Sequence, residues 1–353
     1  MIDQTGLLFQ KVYGCLLGGI IGDAMGAPAE NMTYDEIKKN FGWINDFEGA
    51  GTDDSAIKLI LCEAIIKNRG RISADELADA FIANKKKYYD LFYIPVLNMF
   101  HKIESKLSLP VYAGMGNMHS SSSAMSISPM GIINAGNPRR AALETFDVAG
   151  LIHGGVSTFC RDGACAMAAA VAEAMSPHAT VDSVLQASWA YLHKDSSNEL
   201  LDRIKFTMEI VSKDGNYEEF RKNYYDHCLG DIPCDSRETV PCVLALFKIA
   251  DGDPIKAIEY AANFGRDADT IATMTGALCG AFKGIHALKP EWISKLESTY
   301  GQMRMDSRHE GIAENSVVPD QVKLAQELIE IFIERMEDDR RCLSIADSLI
   351  DSQ

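Results

Sequence analysis

The chain has 353 residues, 50 Asp and Glu against 34 Lys and Arg, and a net charge of −16. That balance excludes the basic stripe a nucleic-acid surface needs, while 47% apolar residues are enough for a sizeable core. The reading is a soluble cytoplasmic enzyme, monomeric, with neither nucleic acid nor membrane as partner. An acidic protein that takes phosphorylated ligands also needs cations or nests of backbone N–H groups to offset its own field.

The first segment, MIDQTGLLFQKVYGCLLGGIIGDAMGAPAE, is apolar from about Val12 to Ala29 but contains Asp23 and several glycines. It lacks a basic flank, so it reads as a buried helix and turn, not as a signal peptide or span. Asp23 is placed to brace the turn through backbone N–H groups. Next comes GTDDSAIKLILCEAI, in which Gly49 and Gly51 allow a tight turn before Thr52-Asp53-Asp54 and a helix over Ser55–Lys67. An N-cap with a charge–dipole contact, worth about 1 kcal/mol, accounts for one of these aspartates and leaves the second unexplained.

Helical spacing continues over Ala74–Tyr89, Arg139–Ile152, Asp162–Met175, Val181–His193, Leu200–Ser212, Val240–Ala250, Pro254–Asn263, Thr270–Ile285 and Val322–Asp338. Alternating β-branched runs are almost absent, and no linker or fixed-period repeat divides the chain. The expectation is a single all-α domain over residues 1–353, a compact multi-helix orthogonal bundle with a metal-binding cleft. One long loop, Ala113 to Pro138, is rich in Gly and Ser. Its Gly114, Gly116, Asn117 and Ser120 to Ser123 offer N–H and hydroxyl groups to a phosphate. The nine cysteines are scattered without zinc-like spacing and read as reduced core thiols.

Asp267-Ala268-Asp269-Thr270 repeats the grammar of Thr52-Asp53-Asp54: a glycine (Gly265), two carboxylates, a threonine, then a helix of small residues. Gly276, Ala277, Gly280 and Ala281 give that helix a thin face against which another helix can pack closely. Burial there makes unpaired carboxylates expensive, and a hard divalent cation resolves the conflict. Two such clusters supply enough oxygens for a pair of ions, Mg²⁺ or Mn²⁺, with positions left for substrate and water.

Three segments, GCLLGGIIGDAMGAPAE, GTDDSAI and GRDADTIATMTGALCGA, resemble in order and spacing the signatures of the ADP-ribosylglycohydrolase family, and the resemblance runs from about Val12 to Pro290. It implies an all-α domain with two Mg²⁺ ions that hydrolyses the N- or O-glycosidic bond at the anomeric carbon of a small-molecule or protein-linked ADP-ribosyl substrate. It further implies that Thr52, Asp53 and Asp54 form one ligand cluster, that Asp267, Asp269 and Thr270 form the other, and that Glu30 is catalytic. The loop would wrap the diphosphate and ribose through Gly114, Gly116, Asn117, Ser121, Ser122 and Ser123. His153 matches a histidine common in the family's next helix and would join the substrate contacts.

Two departures stand out. The family's Met-Arg-x-x-Pro loop pattern reads here Met125-Ser126-Ile127-Ser128-Pro129, without the arginine. Its Asp-x-Gly segment is missing between Ala83 and Pro110. A sibling hydrolase acting on a nucleoside-type N-glycoside or a phosphoester, and a non-catalytic ADP-ribose-binding module, therefore stay open.

Overall fold

In a computed structural model that describes residues 2–309 and 319–351, the chain is all-α, with 18 α-helices and no strand among the described residues. In chain order these are α1 (Leu7–Gly26), α2 (Tyr34–Phe41), α3 (Asp53–Lys67), α4 (Ala74–Ala83), α5 (Lys85–Tyr88) and α6 (Ile94–Glu104). There follow α7 (Pro110–Ala113), α8 (Ser128–Ile132), α9 (Pro138–Ala149), α10 (Thr158–Ala174), α11 (Val181–Ala190) and α12 (Asn198–Asp214). The last six are α13 (Tyr217–His227), α14 (Ser236–Ile249), α15 (Pro254–Ala262), α16 (Ala268–Lys283), α17 (Pro290–His309) and α18 (Gln321–Asp351).

Helix α1 is long and apolar enough to cross a membrane, yet 89% of that stretch is buried inside the bundle. Its glycines explain how it packs. Gly14, Gly18, Gly22 and Gly26 recur every four residues and so share one face. A Cβ on Gly18 would lie 2.4 Å from the Gly276 carbonyl oxygen, and one on Gly280 would lie 2.0 Å from that of Gly14. The backbones of α1 and α16 are thus in direct contact, and α16's thin face is filled by α1. The aliphatic residues on α1's other faces join a contiguous core with α3, α10, α14, α16 and α18. Lys11, buried on α1, donates to the carbonyls of Ala174, Ala281 and Phe282, closing the C-terminal ends of α10 and α16.

The expected helix over Ala74–Tyr89 is interrupted at Asn84, whose amide turns back to Ala80 O and across to Glu63. Helix α9 stops at Ala149, before the expected Ile152, and α11 stops at Ala190, before His193. Helix α14 starts four residues before Val240, because Asp235 accepts from Arg237 N and caps the helix upstream of Pro241. Helix α18 continues to Asp351, beyond the expected Asp338. Helices α2, α6, α7, α13 and α17 lie outside the expected set, and α8 sits inside the segment read as loop. That segment is no surface connector, because Ser120 to Ala135 are almost wholly buried.

Candidate metal centre

Two helix N-termini converge. Thr52 caps α3 and Asp267 occupies the N-cap position of α16, so Asp53 and Asp54 open one helix while Asp269 and Thr270 open the other. The positive ends of both helix dipoles point at the carboxylates. Asp23, near the end of α1, fixes the first of these termini: its carboxylate accepts from Thr52 N, Thr52 Oγ1, Ser55 N and Ser55 Oγ. Gly51, at φ 93°, lets the chain pass Asp23, where a Cβ would lie 2.4 Å from its Oδ2. The second terminus is stitched to the segment after α1. Asn31 N donates to Arg266 O and Arg266 N donates to Met32 O, each at 2.7 Å. That pairing sets Glu30 beside Asp267, and Asn31 Nδ2 holds Glu30 Oε1 at 3.1 Å.

The result is one cavity of about 320 Å³, with Glu30, Asp53, Asp54, Asp267, Asp269 and Thr270 in its wall. Carboxylate oxygens of Glu30, Asp267 and Asp269 lie within 4.8 Å of one another, as do those of Asp23, Asp54 and Asp269. Thr52 Oγ1 is 3.2 Å from Asp54 Oδ2 and 3.4 Å from Asp269 Oδ2. Burial and mutual repulsion hold protons on this group. Asp53 is pushed up to about 7 by burial and the charges of Asp23, Asp267 and Glu30. Asp267 is pushed up to about 7, again mainly by burial. Burial first, then neighbouring carboxylates, raise Asp54 and Asp269 well above the ordinary range.

Asp54 Oδ1 and Asp269 Oδ1 are buried and have no hydrogen-bond partner, an arrangement native proteins rarely leave uncompensated. Oxygen ligands clustered this closely, with threonine hydroxyls among them, fit a hard divalent cation. These acidic residues can therefore hold metal ions.

The other expected site residues are distributed differently. Ser121 and Ser122 line the cavity, and Ser121 Oγ donates to Asp267 Oδ2 at 2.9 Å. Gly114, Gly116, Asn117, Ser123 and His153 are not in its wall. The Asn117 amide instead donates to the carbonyls of Pro95 and Ile152. His153 lies after α9, not within a helix, and is fully buried; Ser123 Oγ meets its Nδ1 at 2.8 Å and Ser120 Oγ its Nε2 at 3.0 Å. Burial pushes its imidazole down to about 3, so the ring is neutral.

Sequence reasoning missed other lining residues of the cavity: Asn31, Leu91, Phe92, Tyr93, Pro233 and Cys234. No motif marks those residues, because they come from loop segments that only the fold brings together. Burial pushes the Cys234 thiol up to about 12, so it stays protonated. Lys58 was also missed. It is buried on α3 one turn beyond Asp54 and donates to Thr273 Oγ1 at 2.8 Å; burial lowers its pKa, against the opposing pull of Asp23 and Asp54. Its signal was present: a lysine inside an apolar helical stretch, four residues after a candidate ligand.

A solved structure described as an ADP-ribosylglycohydrolase-related protein complex has the same fold, with a TM-score of 0.65 at 19% identity over 92% of this chain and 98% of that one. An uncharacterized protein of Escherichia coli, YegU, is 28% identical over 314 residues, 82% of this chain and 92% of its own. The ADP-ribosylhydrolase ARH3 of Gallus gallus is 22% identical over 354 aligned positions, 85% of this chain and 93% of its own. Fold, acidic cavity and relatives together define a glycosyl hydrolase. The chain belongs to the ADP-ribosylglycohydrolase family, whose profile matches residues 4–331.

Proposed function

We propose that this enzyme hydrolyses the glycosidic bond at the anomeric carbon of an ADP-ribosyl or related ribosyl group, using two Mg²⁺ ions. Thr52, Asp53 and Asp54 would hold them from α3, and Asp267, Asp269 and Thr270 from α16. The observation that carries the reading is the pair of buried, partnerless oxygens, Asp54 Oδ1 and Asp269 Oδ1, one on each helix terminus. When bound, the ions supply Lewis acidity and a fixed positive field for the ribose hydroxyls and the hydrolytic water.

The protein's own groups do the rest. Glu30 is exposed at the cavity mouth and tethered by Asn31, placed to accept the proton of the attacking water as the oxocarbenium-like sugar is captured. Ser121 fixes the rotamer of Asp267. Phe92, Tyr93 and Met125 narrow the apolar side of the cavity and limit water there. The protonated Cys234 thiol is not the nucleophile.

Isothermal titration of the apo-protein with MgCl₂ tests the centre: two sites are expected in the wild type and none in Asp54→Asn/Asp269→Asn. Retention of both sites in that double variant would overturn the assignment. Glu30→Gln is expected to keep both sites and lose turnover of a ribosyl substrate by about 10²–10⁴-fold.

A further inference from the structure

On the reading that the centre is a ribosyl glycohydrolase, we infer that its substrate is a nucleoside-type N-riboside with no phosphate on the sugar, in preference to an ADP-ribosyl compound. The charge around the cavity points that way. Glu30, Asp53, Asp54, Asp267 and Asp269 line it, and among the described residues no lysine, arginine or histidine does. Two divalent cations do not cancel five carboxylates, and Lys58, buried beside Asp54, donates to Thr273 Oγ1 and lies outside the lining, so a diphosphate would find no cationic side chain in the wall.

Neighbouring cations are engaged elsewhere. Arg266 precedes Asp267 in the chain but turns its guanidinium to both oxygens of the buried Glu238, at 2.8 and 2.9 Å, and to Gly230 O. Lys102 caps the carbonyls of Ala113 and Met115. His119 faces Asp235 at 3.3 Å.

The Gly/Ser segment brings only neutral hydroxyls to the wall, from Ser121 and Ser122, and Ser121 donates its own to Asp267. Ser120 and Ser123 are turned to His153, and the Asn117 amide is used by two backbone carbonyls. Gly114 packs so tightly on His153 that a Cβ would lie 2.5 Å from its backbone nitrogen. The glycine thus serves close chain packing, where a phosphate cradle would need an open nest.

The cavity is also lined by Leu91, Phe92, Tyr93, Met125 and Pro233, apolar surface that suits an uncharged planar heterocycle. The cavity volume, about 320 Å³, is at the small end of the roughly 300–1,000 Å³ range for small-molecule sites. The step balances without any co-reactant but water. Water oxygen bonds to C1′ as the C1′–N bond breaks, and the bonding pair leaves on the base nitrogen. One water hydrogen remains in the new 1-hydroxyl, and the other passes through Glu30 to that nitrogen.

The test uses full-length protein with MgCl₂ and a panel of uridine, cytidine, adenosine, inosine, their 5′-monophosphates, ADP-ribosyl-arginine and O-acetyl-ADP-ribose. Ribose is expected from at least one nucleoside, with kcat/KM at least about 10²-fold above that of its own 5′-monophosphate and of both ADP-ribosyl compounds. Cleavage of an ADP-ribosyl compound or a monophosphate as efficient as that of every nucleoside overturns the inference and leaves the glycohydrolase reading intact. If nothing in the panel is cleaved, the glycohydrolase reading itself fails and the inference falls with it. Tyr93→Arg, which sets a cation on the exposed rim, is expected to shift the monophosphate-to-nucleoside ratio of kcat/KM at least about tenfold toward the monophosphate. An unchanged ratio with folded, active protein counts against the charge argument.

Discussion

His153 has both ring nitrogens occupied by serine hydroxyls and no exposed surface. With its imidazole held down near 3 by burial, it stays neutral at neutral pH. The unfolded chain binds a proton at this residue below about pH 6.5 and the folded one does not, so its contribution to stability is lost as pH falls below that value. His153→Ala empties a buried site and removes one partner from each of two serine hydroxyls, which keep only Ser122 and Cys160 O, and this is expected to cost about 2–4 kcal/mol. Chemical denaturation reads that loss, and titration with MgCl₂ is expected to give an unchanged Kd. Magnesium bound tenfold more weakly would instead place the ring at the centre. The residue also shows where the sequence misleads. Asp53, Asp54, Asp267, Asp269 and Thr270 are legible because each group is contiguous in the chain and opens a helix, so local spacing alone sets them on one terminus. For the serines of Ser120 to Ser123, composition says nothing of which hydroxyl faces inward, and their partners His153, Ser236 and Asp267 are all distant in sequence.

Between elements, the contact of α1 with α16 sets the distance between the acidic groups, because α1 ends beside Asp23 and Glu30 while α16 begins at Asp267. A side chain at Gly276 would drive its Cβ to 2.1 Å from the Gly18 carbonyl oxygen. Rigid backbone faces it, so the helices must separate. Gly276→Val is expected to lower stability by several kcal/mol and to weaken Mg²⁺ binding in whatever fraction folds. The control is Gly301→Ala in α17, where nothing lies within 4 Å of the added Cβ. It is expected to gain up to about 1 kcal/mol from helix propensity. Equal melting temperatures for the two variants would remove the α1–α16 contact from the account. The glycine spacing made the thin face of α16 readable, but not its partner. Helix ends at Asn84, Ala149 and Ser236 escaped because side-chain hydrogen bonds and turns set them, and periodicity does not register these.

Over the whole molecule, an acidic chain with net charge −16 buries a cluster of aspartates at its centre. Asp53 and Asp267 have folded-state pKa values of about 7, against about 3.9 unfolded. Between those values the metal-free folded state binds more protons than the unfolded chain, so these two groups make stability decline as pH rises from about 4 to 7. A divalent cation competes with the same protons, and its binding must tighten over that interval. At a hundredfold excess over Kd, Mg²⁺ is expected to add about 2.7 kcal/mol of stability near pH 8. Near pH 5.5 protonated aspartates oppose it, and most of that gain should vanish. Thermal unfolding with MgCl₂ and with a chelator at each pH reads the difference directly, and the His153 contribution cancels because it is the same with and without metal. Asp53→Asn/Asp267→Asn is expected to abolish both the Mg²⁺ gain and its pH dependence. An Mg²⁺ gain of equal size at the two pH values would mean that the ion binds elsewhere on this acidic surface, away from the two helix termini.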